Sequence, residues 1–162
     1  MIAKISELGS IVAELKRSGR KIVFTNGVFD ILHRGHVDYL NKSKEFGDIL
    51  IVGINSDRSV KRLKGDGRPI NCEEDRAVII DSLKAVDYAV IFGDDTPYSL
   101  ISLINPDILV KGGDYDPSVT DPSDKKYIVG SDIIRKNGGK VLTVSLVPGR
   151  SSTLTIKKIT EK

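Results

Sequence analysis

Five short runs rich in Val, Ile, Leu and Phe recur along the chain: KIVFT at 21–25, DILIVGIN at 48–55, YAVIF at 88–92, DILVK at 107–111 and KVLTVSL at 140–146. Runs this short and apolar suit strands buried on both faces, and segments with helical spacing separate them. A strand, a helix and a second strand cross over to a parallel neighbour. The repetition therefore predicts an α/β fold, a single Rossmann-like, doubly wound parallel sheet of about five strands with helices on both faces. At 162 residues the chain is long enough for one such core.

The intervening segments carry helix signals. Ile5, Leu8, Val12 and Leu15 recur at helical spacing, and Gly19 follows as a stop, which gives a helix within residues 1–20. HVDYLNKSKEFG puts Val37 and Leu40 on one face and ends at Gly47. CEEDRAVIIDSLKAV, 72–86, reads as a helix with two acids in its first turn, where the dipole favours them. Thr96 reads as an N-cap with Pro97 at the first helical position. Residues 128–136 read as a helix closed by Asn137, Gly138 and Gly139, and Ser151 or Ser152 caps a last helix through Ile159. DYDPSVTDPSDKK, 114–126, has two prolines and many turn formers, and reads as a long surface loop.

Charge and cysteine content narrow the function. A formal net charge of +3 suits a small anionic ligand without indicating nucleic acid or a membrane surface. The single cysteine, Cys72, permits no intrachain disulfide and no cysteine spacing for a metal. No apolar run is long enough to span a bilayer, and the first residues lack the basic start and apolar block of a signal peptide. A reduced, cytoplasmic setting is the expectation.

In an open parallel sheet, ligands bind beyond the carboxyl ends of the strands. That rule gathers residues 26–36, 55–68, 111–115 and 149–153 onto one rim, and these are the most polar, glycine-bearing and basic parts of the chain. The first of them holds both histidines. His33 and His36, three residues apart, would share a helix face. A helix start near Gly35 would offer free N–H groups to a phosphate, with Gly35 leaving room for its approach. Neither G-x-G-x-x-G nor G-K-[ST] is present. The pair alone also fits a zinc site, with Asp30 as the third ligand to hand, or a packed helix–sheet interface. The basic rim favours phosphate, and no resident metal is expected. Lys61 and Arg62 read as solvated charge. Arg76 sits early in a helix, where the dipole opposes a cation, and so hints at an anionic partner. Lys111 ends a strand before Gly112 and Gly113 and is poorly explained as a solvated tail.

GVFDILHRGH resembles the G-x-F-D-x-x-H-x-G-H signature of the cytidylyltransferase-like nucleotidyltransferases, with Gly27, Phe29, Asp30, His33, Gly35 and His36 at its fixed positions. RSSTLTIKKI, 150–159, resembles the family's second signature, a Ser/Thr-rich helix start. Ser152 stands there in place of a Thr and Leu154 in place of an Asn, while Thr153 is retained. NSDRSVKRLKGDGRP, the EEDR arginine and LVKGGDYD are similar to the branch that activates heptose 1-phosphate with ATP.

The resemblance implies a nucleotidyltransferase domain over 21–162 with the 1–20 helix packed on it. It implies attack of a sugar-phosphate oxygen on the α-phosphorus of ATP, giving ADP-heptose and pyrophosphate for lipopolysaccharide or other surface-glycan precursors. On that basis His36, His33 and Lys64 are the catalytic set. Asn26, Gly27, Phe29, Asp30, Gly35, Lys111, Gly112, Gly113, Arg150, Ser151, Ser152 and Thr153 form the nucleotide and phosphate site, with Asp30 orienting the loop or a histidine. Asn55, Asp57, Arg68, Arg76, Asp114 and Tyr115 meet the acceptor. Mg²⁺ would arrive with ATP, a separate sugar kinase would supply the acceptor, and a homo-oligomer is expected. Nucleic acid and membrane are not expected partners. CTP with a polyol phosphate, and a non-catalytic nucleotide-binding regulator, are the competing readings.

Overall fold

The computed structural model describes residues 1–160. Its elements are α1 (Ile5–Arg17), β1 (Ile22–Gly27), α2 (Arg34–Lys44), β2 (Ile49–Asn55), α3 (Asp57–Lys64) and α4 (Glu73–Asp81). They continue as β3 (Tyr88–Phe92), α5 (Tyr98–Ile104), β4 (Ile108–Gly112), α6 (Ser131–Lys136), β5 (Lys140–Val144) and α7 (Ser152–Thr160). The five strands form one all-parallel sheet in the order β3-β2-β1-β4-β5. The chain winds outward one way from β1 and then, from β4, the other way. A crevice opens between those two strands at their carboxyl ends.

Strand side chains alternate between two apolar layers. Val23, Leu50, Val52, Ile54 and Val110 face the layer that holds Tyr39 and Leu40 of α2 and Ala77 and Ile80 of α4. Ile22, Phe24, Ile51 and Leu109 face the layer that holds Leu8 and Val12 of α1, Leu100, Ile101 and Ile104 of α5, and Ile134 of α6. Each fully buried Leu or Ile contributes about 1.5–3 kcal/mol. Helices on both faces are therefore what lets every strand be apolar on both sides. Ahead of α1, Ile2 bridges to Ala89; the Ala3 N–H donates to the Ala89 carbonyl at 2.8 Å, and the Ala89 N–H to the Met1 carbonyl at 3.1 Å. That segment covers the otherwise open edge of β3.

Several local expectations change. Helix α3 lies where the sequence suggested only a polar rim. Val60 is its one buried apolar residue, so it carries no apolar stripe to read. Its signal is Ser56, whose Oγ accepts from the Ser59 N–H at 3.2 Å. Helix α4 ends at Asp81, and Ala85 and Val86 join the core from a turn instead. Pro97, not Thr96, occupies the N-cap of α5, its carbonyl accepting the Ile101 N–H at 2.8 Å. Among the described residues, no helix is long and apolar enough to cross a membrane.

Candidate active site

A cavity of about 630 Å³ opens at the carboxyl ends of β1 and β4, where the strand order reverses. Val23 and Phe24 pair with Ile108 and Leu109, and extending that register sets Asn26 beside Lys111. The Lys111 ammonium donates to Asn26 Oδ1 across the crevice and lies 5.7 Å from the centre of the Tyr115 ring. Burial lowers the Lys111 ammonium to about 8, with the Asp114 carboxylate opposing the shift. Beneath it, the Tyr39 hydroxyl donates to the Val110 carbonyl at 3.1 Å and lies 2.7 Å from Thr25 Oγ1, tying α2 to the cavity floor.

The histidines meet in a way the spacing argument did not foresee. His33 is not on the helix; it is the extended N-cap of α2, and His36 is at the third helical position. Side chains at these two positions reach each other across the first turn. The rings stack with centroids 3.9 Å apart and planes 20° apart. The His33 N–H donates to His36 Nδ1 at 3.4 Å, which leaves the proton of a neutral His36 on Nε2. Burial, then the charges of His33 and Lys64, lowers His36 to about 4. Burial, then Arg150, lowers His33 as well. Near neutral pH the pair is therefore two uncharged rings, with a hydrogen-bond donor at His36 Nε2. Phe29 backs it, its ring in a T-shaped contact with His36, centroids 5.4 Å apart. Phe29 has φ 51°, in the left-handed region, a conformation that costs a bulky residue about 1–3 kcal/mol. Gly27 makes this possible, because a Cβ there would lie 3.0 Å from the Phe29 ring.

Across the cavity, Ser151 caps α7, its Oγ accepting the Leu154 N–H at 3.1 Å. Ser152 Oγ donates to the Ile31 carbonyl at 3.2 Å, docking α7 on the loop after β1. Thr153 and Arg150 line the same wall, beside a helix start whose dipole favours an anion. Gly35 is not open space. Its missing Cβ is occupied by the His33 ring at 3.0 Å and by Arg150 Cβ at 3.4 Å, so the glycine lets the histidine and α7 approach.

Of the residues expected at the site, Asn26, Gly27, Phe29, His33, Gly35, His36, Asn55, Lys64, Lys111 and Gly112 line this one cavity, as do Asp114, Tyr115, Arg150, Ser151, Ser152 and Thr153. Five lie off its wall. Gly113 backs onto Ser145, where a Cβ would meet the main chain at 3.4 Å. Asp30, expected at the nucleotide, is buried and accepts from Arg68 Nε at 2.7 Å and from the Ile70 and Asn71 N–H groups at 2.8 and 2.9 Å. Arg68 is thereby turned to Asp30 and not to an acceptor. Arg76, expected at the acceptor, is fully buried, and its Nη2 donates at 2.8 Å to the half-buried Asp57, which is thereby turned to Arg76 and not to an acceptor. The anionic partner that its helix position called for is Asp57, together with carbonyls from neighbouring loops. Arg62, read as solvated, is bound to the Gly93 carbonyl at 2.8 Å and to Asp95.

Asp95, Thr96, Pro97, Leu63, Leu146 and Val147 were not foreseen and also line the wall. The rule that ligands sit beyond strand ends would have found residues 95–97, which follow β3 as the other rim segments follow theirs. Among the described residues, no three His, Cys, Asp or Glu side chains converge to hold a metal ion.

Burial pushes the Asp30 carboxyl up, but the Asn71 and Ile70 N–H groups and the Arg68 guanidinium outweigh it and hold it below its ordinary value. A carboxylate lower in the folded than in the unfolded state adds stability that is complete above about pH 4 and is lost as pH falls through the depressed value. Denaturant melts between about pH 5 and pH 2 should show this slope in the parent and a shallower one in Asp30→Asn. Equal slopes would mean that Asp30 is not held in this way.

A family model described as cytidylyltransferase-like matches residues 24–157. The chain is 53% identical over 158 residues to the bifunctional protein HldE of Nitratiruptor sp., covering 98% of this chain and 32% of that protein. It is 53% identical over 149 residues to HldE of Wolinella succinogenes, covering 92% of this chain and 29% of that protein. The chain thus spans about a third of the length of these curated relatives. A lipopolysaccharide core biosynthesis protein from Thermoplasma volcanium is 32% identical, with a TM-score of 0.58 over 80% of this chain and 98% of that one. A pantoate–β-alanine ligase from Francisella tularensis, 15% identical, shares the fold with a TM-score of 0.64, covering 100% of this chain and 79% of that one.

Proposed function

Since the chain belongs to the cytidylyltransferase-like family, we propose that it transfers AMP from ATP to a sugar 1-phosphate, D-glycero-β-D-manno-heptose 1-phosphate, releasing pyrophosphate. The observation that carries the reading is the stacked His33–His36 pair on the wall of a cavity also lined by Lys64, Lys111, Arg150 and the start of α7. The acceptor phosphate is already an anion, so no strong base is required. One of its oxygens forms a bond to the α-phosphorus as the bond from that phosphorus to the bridging oxygen breaks, and pyrophosphate leaves with that oxygen.

What the site must supply is alignment and stabilisation of charge on the phosphoryl oxygens. His36 Nε2–H donates to a non-bridging oxygen of the α-phosphate. Arg150, the Thr153 hydroxyl and the free N–H groups of α7 hold the pyrophosphate end. Lys111 and Lys64 offer cations on the acceptor side. Mg²⁺ bound to the triphosphate would add charge neutralisation, with most of its ligands water and phosphate. Asp95 and Asp114 are the cavity-wall carboxylates that would meet those waters. The heptose assignment rests on the likeness of the Lys64 and Lys111 segments to that branch. A kinase acting on the sugar must precede this step, whether on a separate chain or a linked one.

The test is pyrophosphate release with each of ATP, CTP, GTP and UTP against heptose 1-phosphate and glycerol 3-phosphate. Turnover with ATP and heptose 1-phosphate is the expected result. Turnover confined to CTP and glycerol 3-phosphate would overturn the reading in favour of a polyol-phosphate cytidylyltransferase. ATP binding without turnover of any acceptor would favour a regulator.

A further inference from the structure

Both chain neighbours of Phe29, the residue with the left-handed backbone, are pinned from outside the cavity. On one side, the Val28 carbonyl accepts from Arg76 Nη1 at 2.7 Å. On the other, the Asp30 carboxylate accepts from the Ile70 and Asn71 N–H groups at 2.8 and 2.9 Å. The two clamps are joined through Asn71. Its carbonyl accepts from Arg76 Nε at 3.0 Å, and its side-chain amide donates to the Asp30 carbonyl. Arg76 Nη2 goes on to the Asn55 carbonyl at 2.7 Å and the Asp57 carboxylate at 2.8 Å. One guanidinium, 0% exposed, thus ties together the loop after β1, the end of β2 and the start of α3. Those elements carry Phe29, Asn55 and Lys64, which line the cavity that Arg76 itself does not touch.

We propose that the Arg76–Asn71–Asp30 network is a positioning device for group transfer, fixing Phe29 in its strained conformation so that its T-shaped ring contact sets the His36 imidazole. The inference rests on the adenylyl-transfer reading and adds to it residues outside the reacting shell. A planar fork suits the task, because it directs donors to acceptors on several elements at once, which a lysine ammonium cannot do with the same geometry. A purely structural role for α4 would not need it. Ala77 and Ile80 already anchor that helix in the core, and a buried cation is a costly way to add packing.

Two variants test it. Asn71→Ala removes the amide strut to the Asp30 carbonyl without taking away a buried charge. Arg76→Lys keeps the charge and loses the fork. Three quantities are read for each: a denaturant melt, the ¹⁵N signature of the His36 ring in substrate-free protein, and kcat and KM for ATP. Both variants should melt cooperatively and lose the pure Nε2–H signature of His36. Arg76→Lys should lose about 100-fold in kcat, the scale of a small misalignment, with KM for ATP little changed. Asn71→Ala should show a smaller drop in the same direction. A wild-type His36 signature and kcat in Asn71→Ala would overturn the proposal, whether Arg76→Lys folds or not. If wild type releases no pyrophosphate with any acceptor, the transfer reading fails, and the substrate-free His36 signature still decides whether the network sets that ring.

Discussion

His36→Ala is expected to fold like the parent and to lose about two to three powers of ten in kcat, the usual consequence of removing one preorganised donor. The fold should survive because Tyr39 and Leu40, not His36, anchor α2 to the sheet. On the proposed reading KM for ATP should change far less, since the triphosphate would keep Arg150, Thr153 and the α7 N–H groups, and His36 Nε2–H would matter most as charge builds on the α-phosphate. The pH profile sharpens this. With His36 lowered to about 4, the free enzyme already holds the neutral donor at neutral pH. His36 should therefore contribute no acid limb to the kcat/KM profile near the ordinary histidine value of about 6.5, so any limb set there by the acceptor phosphate should be unchanged in His36→Ala. A limb there, absent in His36→Ala, would mean that the ring works as a base or a cation instead.

Lys111 provides the second large effect. Its ammonium is held at about 8 by burial, so it is a cation below that pH and neutral above it. If the cation faces the acceptor phosphate, kcat/KM falls as pH rises through about 8 in the free enzyme. Lys111→Met removes the charge at every pH and should cost about 100-fold in kcat/KM, with the alkaline limb gone. Lys111→Arg stays charged and should also lose the limb, while keeping more of the rate. An alkaline limb that persists unchanged in Lys111→Met would assign it to another group.

The sheet was legible because its information is local and repetitive. Apolar runs separated by helical spacing leave a parallel, doubly wound arrangement as the simplest packing, and the carboxyl-end rule then places the polar segments on one rim. Helix α3 was not legible, since eight residues with one buried apolar side chain leave no period to detect. Arg76 and Asp57 were misplaced for a different reason. Dipole arguments see only a residue's own helix, and the groups that satisfy Arg76 are the Asp57 carboxylate and the carbonyls of residues 28, 55 and 71, brought in by tertiary folding. Asp30 follows the same pattern: its partners Arg68, Ile70 and Asn71 lie about forty residues away in sequence. His33 and His36 were expected to share one helix face, but His33 is the N-cap of α2 and stacks on His36 from outside the helix. Their contact depends on an N-cap conformation that spacing alone does not encode.

Attack of the acceptor phosphate on the α-phosphorus of ATP is the central claim, and oxygen-isotope tracing tests it directly. Heptose 1-phosphate labelled with ¹⁸O in its phosphate is turned over with unlabelled ATP, and the products are read by ³¹P NMR. The account predicts a nucleotide sugar with ¹⁸O in the bridge between its two phosphorus atoms, and unlabelled pyrophosphate. Label in the pyrophosphate, or a product whose bridging oxygen is unlabelled, would contradict it.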